Sequence, residues 1–150
     1  MGLNFEQEPQ HVFVYGSLMY LPVWGQVVQG TYACKNAVAR GHARYAVPGE
    51  TYPAMVVQAD SEVKGLVWLN VAADDLSRLD AFEGPEYQRQ TISVQVDGQD
   101  LKVQTYLWLQ PAALDGKLWS VQRFEEDGLQ KFLGRHVQSW NQTGARQSKA

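Results

Sequence analysis

Cysteine is nearly absent. Cys34 is the only one in 150 residues, so no disulfide can close within the chain and a reducing, cytoplasmic setting is the simplest expectation. Histidine is scarce as well: His11, His42 and His136 stand far apart with no cysteine partner, and no metal-ligand spacing can be written from them. No metal and no cofactor is expected. Nor does charge of one sign dominate. Thirteen Lys plus Arg against sixteen Asp plus Glu leave a net charge of −3, and the scattered basic residues offer no field for nucleic acid. Residues 12–34 carry no Asp, Glu, Lys or Arg, but Gly16, Ser17, Pro22, Gly25, Gln26, Gln29 and Gly30 interrupt them. A lipid-facing helix rarely contains these together, so no membrane partner is expected. Upstream lie Glu6 and Glu8 without a basic residue, which argues against a signal peptide.

What is present is a globular composition, 45% apolar with five Trp, seven Tyr and five Phe, sufficient for one core in a single domain. We expect a loose arm over 1–10, one domain over 11–140 and a flexible tail over 141–150. Val12–Tyr15 is a short apolar run ending at Gly16-Ser17 and reads as a buried strand entering a tight loop. Residues 31–46 hold one or two extended segments. Ala54–Val57 and Gly65–Val71 read as two strands separated by a polar stretch. The period then changes: Leu76, Leu79 and Phe82 recur at helical spacing after Asp74-Asp75, and Gly84-Pro85 stops the helix, which predicts Ala73–Glu83. Ile92, Val94 and Val96 alternate into an Asp97-Gly98 turn, and Leu101, Val103 and Thr105 alternate out of it, a hairpin whose return strand through Leu109 is apolar on both faces. A helical stripe from Val121 to Trp140 follows, with Ser120 as N-cap. Strands with helices inserted late give an α+β class.

Three places carry candidate chemistry. A strand that turns sharply at Tyr15-Gly16-Ser17-Leu18 can present consecutive backbone N–H groups to one concavity, a nest suited to a carboxylate or an oxyanion; the alternative is a turn and nothing more. Glu83 closes the 73–83 helix, where the negative end of the macrodipole disfavours its charged form; burial there raises proton affinity toward that of a general base. The plain alternative is a surface glutamate, and Asp80 and Glu86 are the other acids within reach. Arg89 can hold a substrate carboxylate, pair with Glu83, or be a solvated strand-end charge. Tyr52-Pro53, Tyr106 and the tryptophans can line a pocket or belong to the core.

The order of these pieces is itself informative. A strand ending in Tyr15-Gly16-Ser17-Leu18, then Tyr52-Pro53, then Gly65-Leu66-Val67-Trp68, then Leu79-Asp80-x-x-Glu83-Gly84-x-x-Tyr87-x-Arg89 resembles the gamma-glutamylcyclotransferase-like superfamily. The branch it is most similar to is that of gamma-glutamylamine cyclotransferase and the plant avirulence-induced-gene-like proteins. The resemblance implies an α+β fold with a small, curved, barrel-like mixed sheet and flanking helices. It also implies a cofactor-independent enzyme that cyclises a small γ-glutamyl amine or amide to pyroglutamate and releases the amine. The loop residues Tyr15, Gly16, Ser17 and Leu18 would bind the γ-glutamyl moiety, Glu83 would be the catalytic acid, and Tyr106 would stand as a pocket aromatic. In some relatives the glutamate directly precedes Tyr-x-Arg, a position held here by Glu86. The hollow between loop and acid is expected to match one glutamyl group. A non-catalytic protein that binds a small metabolite in the same cavity is the rival reading.

Overall fold

A computed structural model describes residues 8–137. Five strands form a closed barrel: β1 (Gln10–Val14), β2 (Cys34–Ala46), β3 (Pro53–Val71), β4 (Tyr87–Val96) and β5 (Gln99–Trp108), in the spatial order β1-β3-β2-β4-β5. All neighbours are antiparallel except β1 and β5, which meet in parallel at Val12 and Gln104 and close the ring. A 3₁₀ turn (Ser17–Met19) leads into α1 (Leu21–Val27), and α2 (Ala73–Glu83) lies between β3 and β4. The final helix, α3, runs over 121–137 and alternates ordinary α-helical turns with wider ones. The fold is the expected α+β barrel with flanking helices.

The chain's apolar pattern explains the layering. Successive side chains on a strand point to opposite faces, and β1 is buried on both. Phe13 and Tyr15 belong to the barrel interior with Met55, Val63, Val67, Val94, Val103 and Leu107. Val12 and Val14 face a second core with Trp24, Trp68, Leu76, Leu79, Phe82, Phe124 and Phe132, which lies under the helices. The Leu76, Leu79 and Phe82 stripe thus packs α2 on the barrel with Glu83 on its buried side. Gly84 ends α2 at φ 81°, a left-handed conformation that glycine adopts at little cost, and its N–H donates to Asp80 O at 3.2 Å.

Several expectations shift. The first strand runs from Gln10 to Val14, starting before and ending short of the expected Val12–Tyr15; residues 1–7 of the expected arm and the expected tail from 141 lie outside the described residues. The two strands expected at 54–57 and 65–71 are one strand of 19 residues. Pairing with β2 jumps from Arg40–Glu62 to His42–Val57. The polar residues 58–61 therefore bulge outward, with Asp60 at φ 65°, and the strand continues through them. Helix α1 was not anticipated, because Gly25 and the polar glutamines blur its period. Ser120 caps α3 as expected, its Oγ accepting from Arg123 N at 3.1 Å. Trp140 and the end of the expected helix lie outside the described residues. Among those residues no helix is long and apolar enough to cross a membrane.

Two glycines make opposite predictions. A β-carbon on Gly65 would lie 2.3 Å from the Val14 carbonyl oxygen, whereas one on Gly25, inside α1, meets nothing within 4 Å. Gly65→Ala should lower the unfolding free energy by about 1–3 kcal/mol by overpacking the β1–β3 contact. Gly25→Ala should raise it by about 0.5–1 kcal/mol. Urea unfolding midpoints check both, and the opposite signs are the point.

Candidate active site

The site is built where β1 ends. Gly16 packs so closely on Pro53 that a β-carbon would lie 2.7 Å from two carbons of its ring. Pro53 is held in turn by Tyr87, whose hydroxyl donates to the Pro53 carbonyl at 2.8 Å. Tyr52-Pro53 therefore backs the bend and does not line the hollow.

Four consecutive carbonyls of the bend are bound away. Tyr15 O accepts from Arg44 Nη1 at 2.7 Å, Gly16 O from Met19 N at 3.0 Å, Ser17 O from Tyr20 N at 3.1 Å, and Leu18 O from Trp68 Nε1 at 3.3 Å. Among the described residues, the N–H groups of Gly16 and Leu18 donate to no protein acceptor. A segment with its acceptors satisfied and donors free is an anion cradle.

Across a small hollow stands Glu83. Phe13, Val14, Tyr15, Gly16, Ser17, Leu18, Glu83 and Tyr106 line it. The structure thus brings together six of the seven residues singled out from the sequence. Arg89 is the exception: its Nε donates to Asp80 Oδ1 at 2.9 Å and its Nη1 to Gln104 Oε1 at 3.2 Å, so it joins neither the hollow nor Glu83. Glu86 does not line the hollow either; its carbonyl accepts from Leu109 N at 3.0 Å. Asp80 Oδ1 also accepts from the Tyr106 hydroxyl at 2.7 Å, and Tyr15 donates its hydroxyl to the Tyr106 carbonyl at 2.7 Å. Tyr106 is fixed at both ends.

Two buried carboxylates show what is special about Glu83. Asp75 is 2% exposed and accepts from the N–H groups of Gln29 and Gly30, from the Tyr32 hydroxyl and from Arg78. Burial alone would raise its proton affinity, but those donors hold it below the usual carboxylate value. Glu83 is 3% exposed, and its Oε2 has no hydrogen-bond partner among the described residues. Burial, then the charge of Asp80 one turn back, pushes its carboxyl well above the ordinary value. Asp75 ties the α1–β2 connection to α2, which is structural work. Glu83 keeps a raised proton affinity and lines one hollow with the bend, the kind of perturbed group that marks a candidate site.

The hollow is smaller than expected. Its free volume is ≈ 10 Å³, room for about one water molecule. The ring of Tyr106, tethered at both ends, is among the residues that line it. Sequence reasoning missed Arg44 and Trp68, which hold the outer carbonyls of the bend; Trp68 was visible only as part of a motif, and nothing in the spacing marked Arg44.

Comparison with known proteins accords with this geometry. A family model described as gamma-glutamyl cyclotransferase, AIG2-like, matches residues 12–125. The chain belongs to this family. AIG2-like protein A of Arabidopsis thaliana is 34% identical over 118 residues, which cover 77% of this chain and 70% of that one. Protein AIG2 C of Arabidopsis thaliana is 31% identical over 143 residues, 91% and 86% of the two chains. Among solved structures, a solution structure of an Arabidopsis thaliana protein superposes with a TM-score of 0.69 at 28% identity, covering 95% of this chain and 90% of the other. A structure named gamma-glutamyl cyclotransferase shares the fold, with a TM-score of 0.58 at 18% identity over 68% of each chain. Membership of the gamma-glutamyl cyclotransferase, AIG2-like family supports a cyclotransferase-type function on a small-molecule substrate.

The electrostatics of Glu83 predict a stability effect of definite sign. With its folded-state proton affinity raised, the folded chain retains a proton that the unfolded chain loses above about pH 4.5. Stability therefore falls as pH climbs from there through the folded-state value, by about 1.4 kcal/mol per pH unit. Glu83→Gln removes this loss. Its unfolding free energy relative to wild type should rise with pH across that window, as read from denaturant curves at several pH values; parallel curves would refute the raised proton affinity.

Proposed function

We propose that the protein is a cytoplasmic, cofactor-independent γ-glutamyl cyclotransferase that converts a γ-glutamyl amine or amide to pyroglutamate and frees the amine. The observation that carries this reading is the buried carboxyl of Glu83, whose Oε2 has no hydrogen-bond partner among the described residues, lining one hollow with the bend. The single Cys34 suits a reducing compartment.

A γ-glutamyl amide contains its own nucleophile, so the protein's tasks are to fold the substrate and to move one proton. In this reading the amides of Gly16 and Leu18 hold the α-carboxylate, and Glu83 as carboxylate takes a proton from the α-ammonium. The freed amine attacks the γ-carbonyl carbon, forming the ring C–N bond. The C–N bond to the leaving group then breaks as Glu83 returns the proton to the departing nitrogen, and the ring nitrogen gives up its second surplus proton, which the freed amine takes up as its ammonium. The raised proton affinity of Glu83 brings it closer to that of an amine, which makes it a better base than an ordinary carboxylate. Tyr106 gives its hydroxyl proton to Asp80 and so turns oxygen lone pairs, not a donor, toward neighbouring groups, which suits an ammonium and not a carboxylate.

Turnover of mixed γ-glutamyl amines, with pyroglutamate measured by mass spectrometry, tests the proposal. Glu83→Gln should lose about 10²–10⁴-fold in rate, the range of general acid–base catalysis, while Glu86→Gln stays close to wild type. Full activity in Glu83→Gln sinks the assignment. Saturable ligand binding by wild type with no pyroglutamate formed favours the metabolite-binding reading.

A further inference from the structure

We propose that Arg44 is a positioning residue for the anion cradle, acting through the Tyr15–Gly16 peptide without touching the substrate. The inference rests on the reading of the bend as the α-carboxylate site.

Arg44 lies on β2 and is not among the residues that line the hollow. Its Nη1 donates to the Tyr15 carbonyl at 2.7 Å and to the Lys64 carbonyl at 3.1 Å. These are the carbonyls left over where β1 and β3 part after the Val14–Leu66 pair. The guanidinium sits 5.1 Å from the centre of the Trp119 ring, a cation–π contact that fixes its plane. It is half-buried, and among the described residues no carboxylate forms an ion pair with it. A desolvated cation whose nearest acceptors are two peptide carbonyls is unusual, since buried charges are ordinarily paired.

Three consequences follow from the geometry. The peptide between Tyr15 and Gly16 is trans, so its C=O and N–H point in opposite directions. Fixing the carbonyl on Arg44 turns the Gly16 N–H the other way, toward the hollow that Gly16 lines. A cation on the carbonyl also polarises the peptide and makes that N–H a stronger donor. Finally, the uncompensated positive charge one peptide away favours an anion in the cradle. A purely structural arginine would need none of this: an asparagine or water can satisfy two carbonyls, and a carboxylate partner would ordinarily neutralise the charge.

The test uses ¹⁵N-labelled protein titrated with pyroglutamate, which keeps the α-carboxylate and requires no turnover. In wild type the Gly16 and Leu18 amide resonances should shift saturably. Arg44→Ala should bind about tenfold or more weakly, the usual effect of losing a charge-assisted hydrogen bond, and Arg44→Lys should recover part of the loss. Val96→Ala, which thins the core at the far end of β4 from Tyr87, serves as the stability control. It should lower the melting temperature and leave affinity close to wild type. Where turnover is measurable, Arg44→Ala should raise KM with little change in kcat, because the ground-state anion contact made by the Gly16 N–H is weakened. Unchanged pyroglutamate affinity in folded Arg44→Ala overturns the inference while leaving the cyclotransferase reading intact. Arg44-dependent binding without any turnover by wild type supports the inference and overturns that reading. No shift at Gly16 in wild type overturns the inference together with the placement of the carboxylate.

Discussion

Gly16 meets the Pro53 ring with no room for a β-carbon, and that contact ties three distant stretches of chain together. Tyr87 grips the Pro53 carbonyl, Pro53 presses on Gly16, and Gly16 shapes the turn that follows the first strand. The spacing of the family motifs thereby acquires a physical meaning. Tyr52-Pro53 and the tyrosine of the Glu-Gly-x-x-Tyr segment are props behind the bend, and the acid of that segment stands in front of it. Support and chemistry enter the site from the same short stretch, 79–89. Because α2 ends at Gly84, Glu83 and Tyr87 diverge to opposite sides of one turn.

The energetics of the two buried carboxylates divide the molecule's work. Asp75 is surrounded by donors, and its charge is compensated where it lies. Glu83 is buried to nearly the same degree with one oxygen unsatisfied, a net cost to folding that packing elsewhere must offset. Residues kept in such a state cluster at functional sites. The costs at the bend are of the same kind. Donor groups are left free on one side, and on the other a cation is held on carbonyls instead of on a carboxylate.

Much of this was legible in the sequence because local signals agreed with the fold. The helix Ala73–Glu83 has an apolar period, acids in its first turn and a glycine stop, and the 87–108 hairpin has alternation around Asp97-Gly98. Six of the eight residues that line the hollow were readable from two short segments and one aromatic. What was not legible depended on long-range register. Arg89 could hold a substrate carboxylate, pair with Glu83 or stand in solvent, and only the tertiary fold brings Asp80 and Gln104 to it. Arg44 is one cation among thirteen, and its importance comes from lying across the barrel from Tyr15, which no linear spacing encodes. The narrowness of the hollow was equally invisible, since it depends on how side chains from β1, the bend, α2 and β5 meet. The 58–61 bulge escaped because a polar interruption reads as the end of a strand, whether the chain leaves the sheet there or merely swells outward.

Closure of the barrel has one more effect. The first strand is only five residues long, yet it is flanked by β3 on one side and by β5 on the other. Sliding it by a single residue would exchange Phe13 and Tyr15 with Val12 and Val14, moving aromatic rings out of one core and into the other. Both cores resist that slip together, so the position of the turn at its end is locked to the folded state as a whole. The floor of the hollow therefore cannot be moved without unmaking the domain.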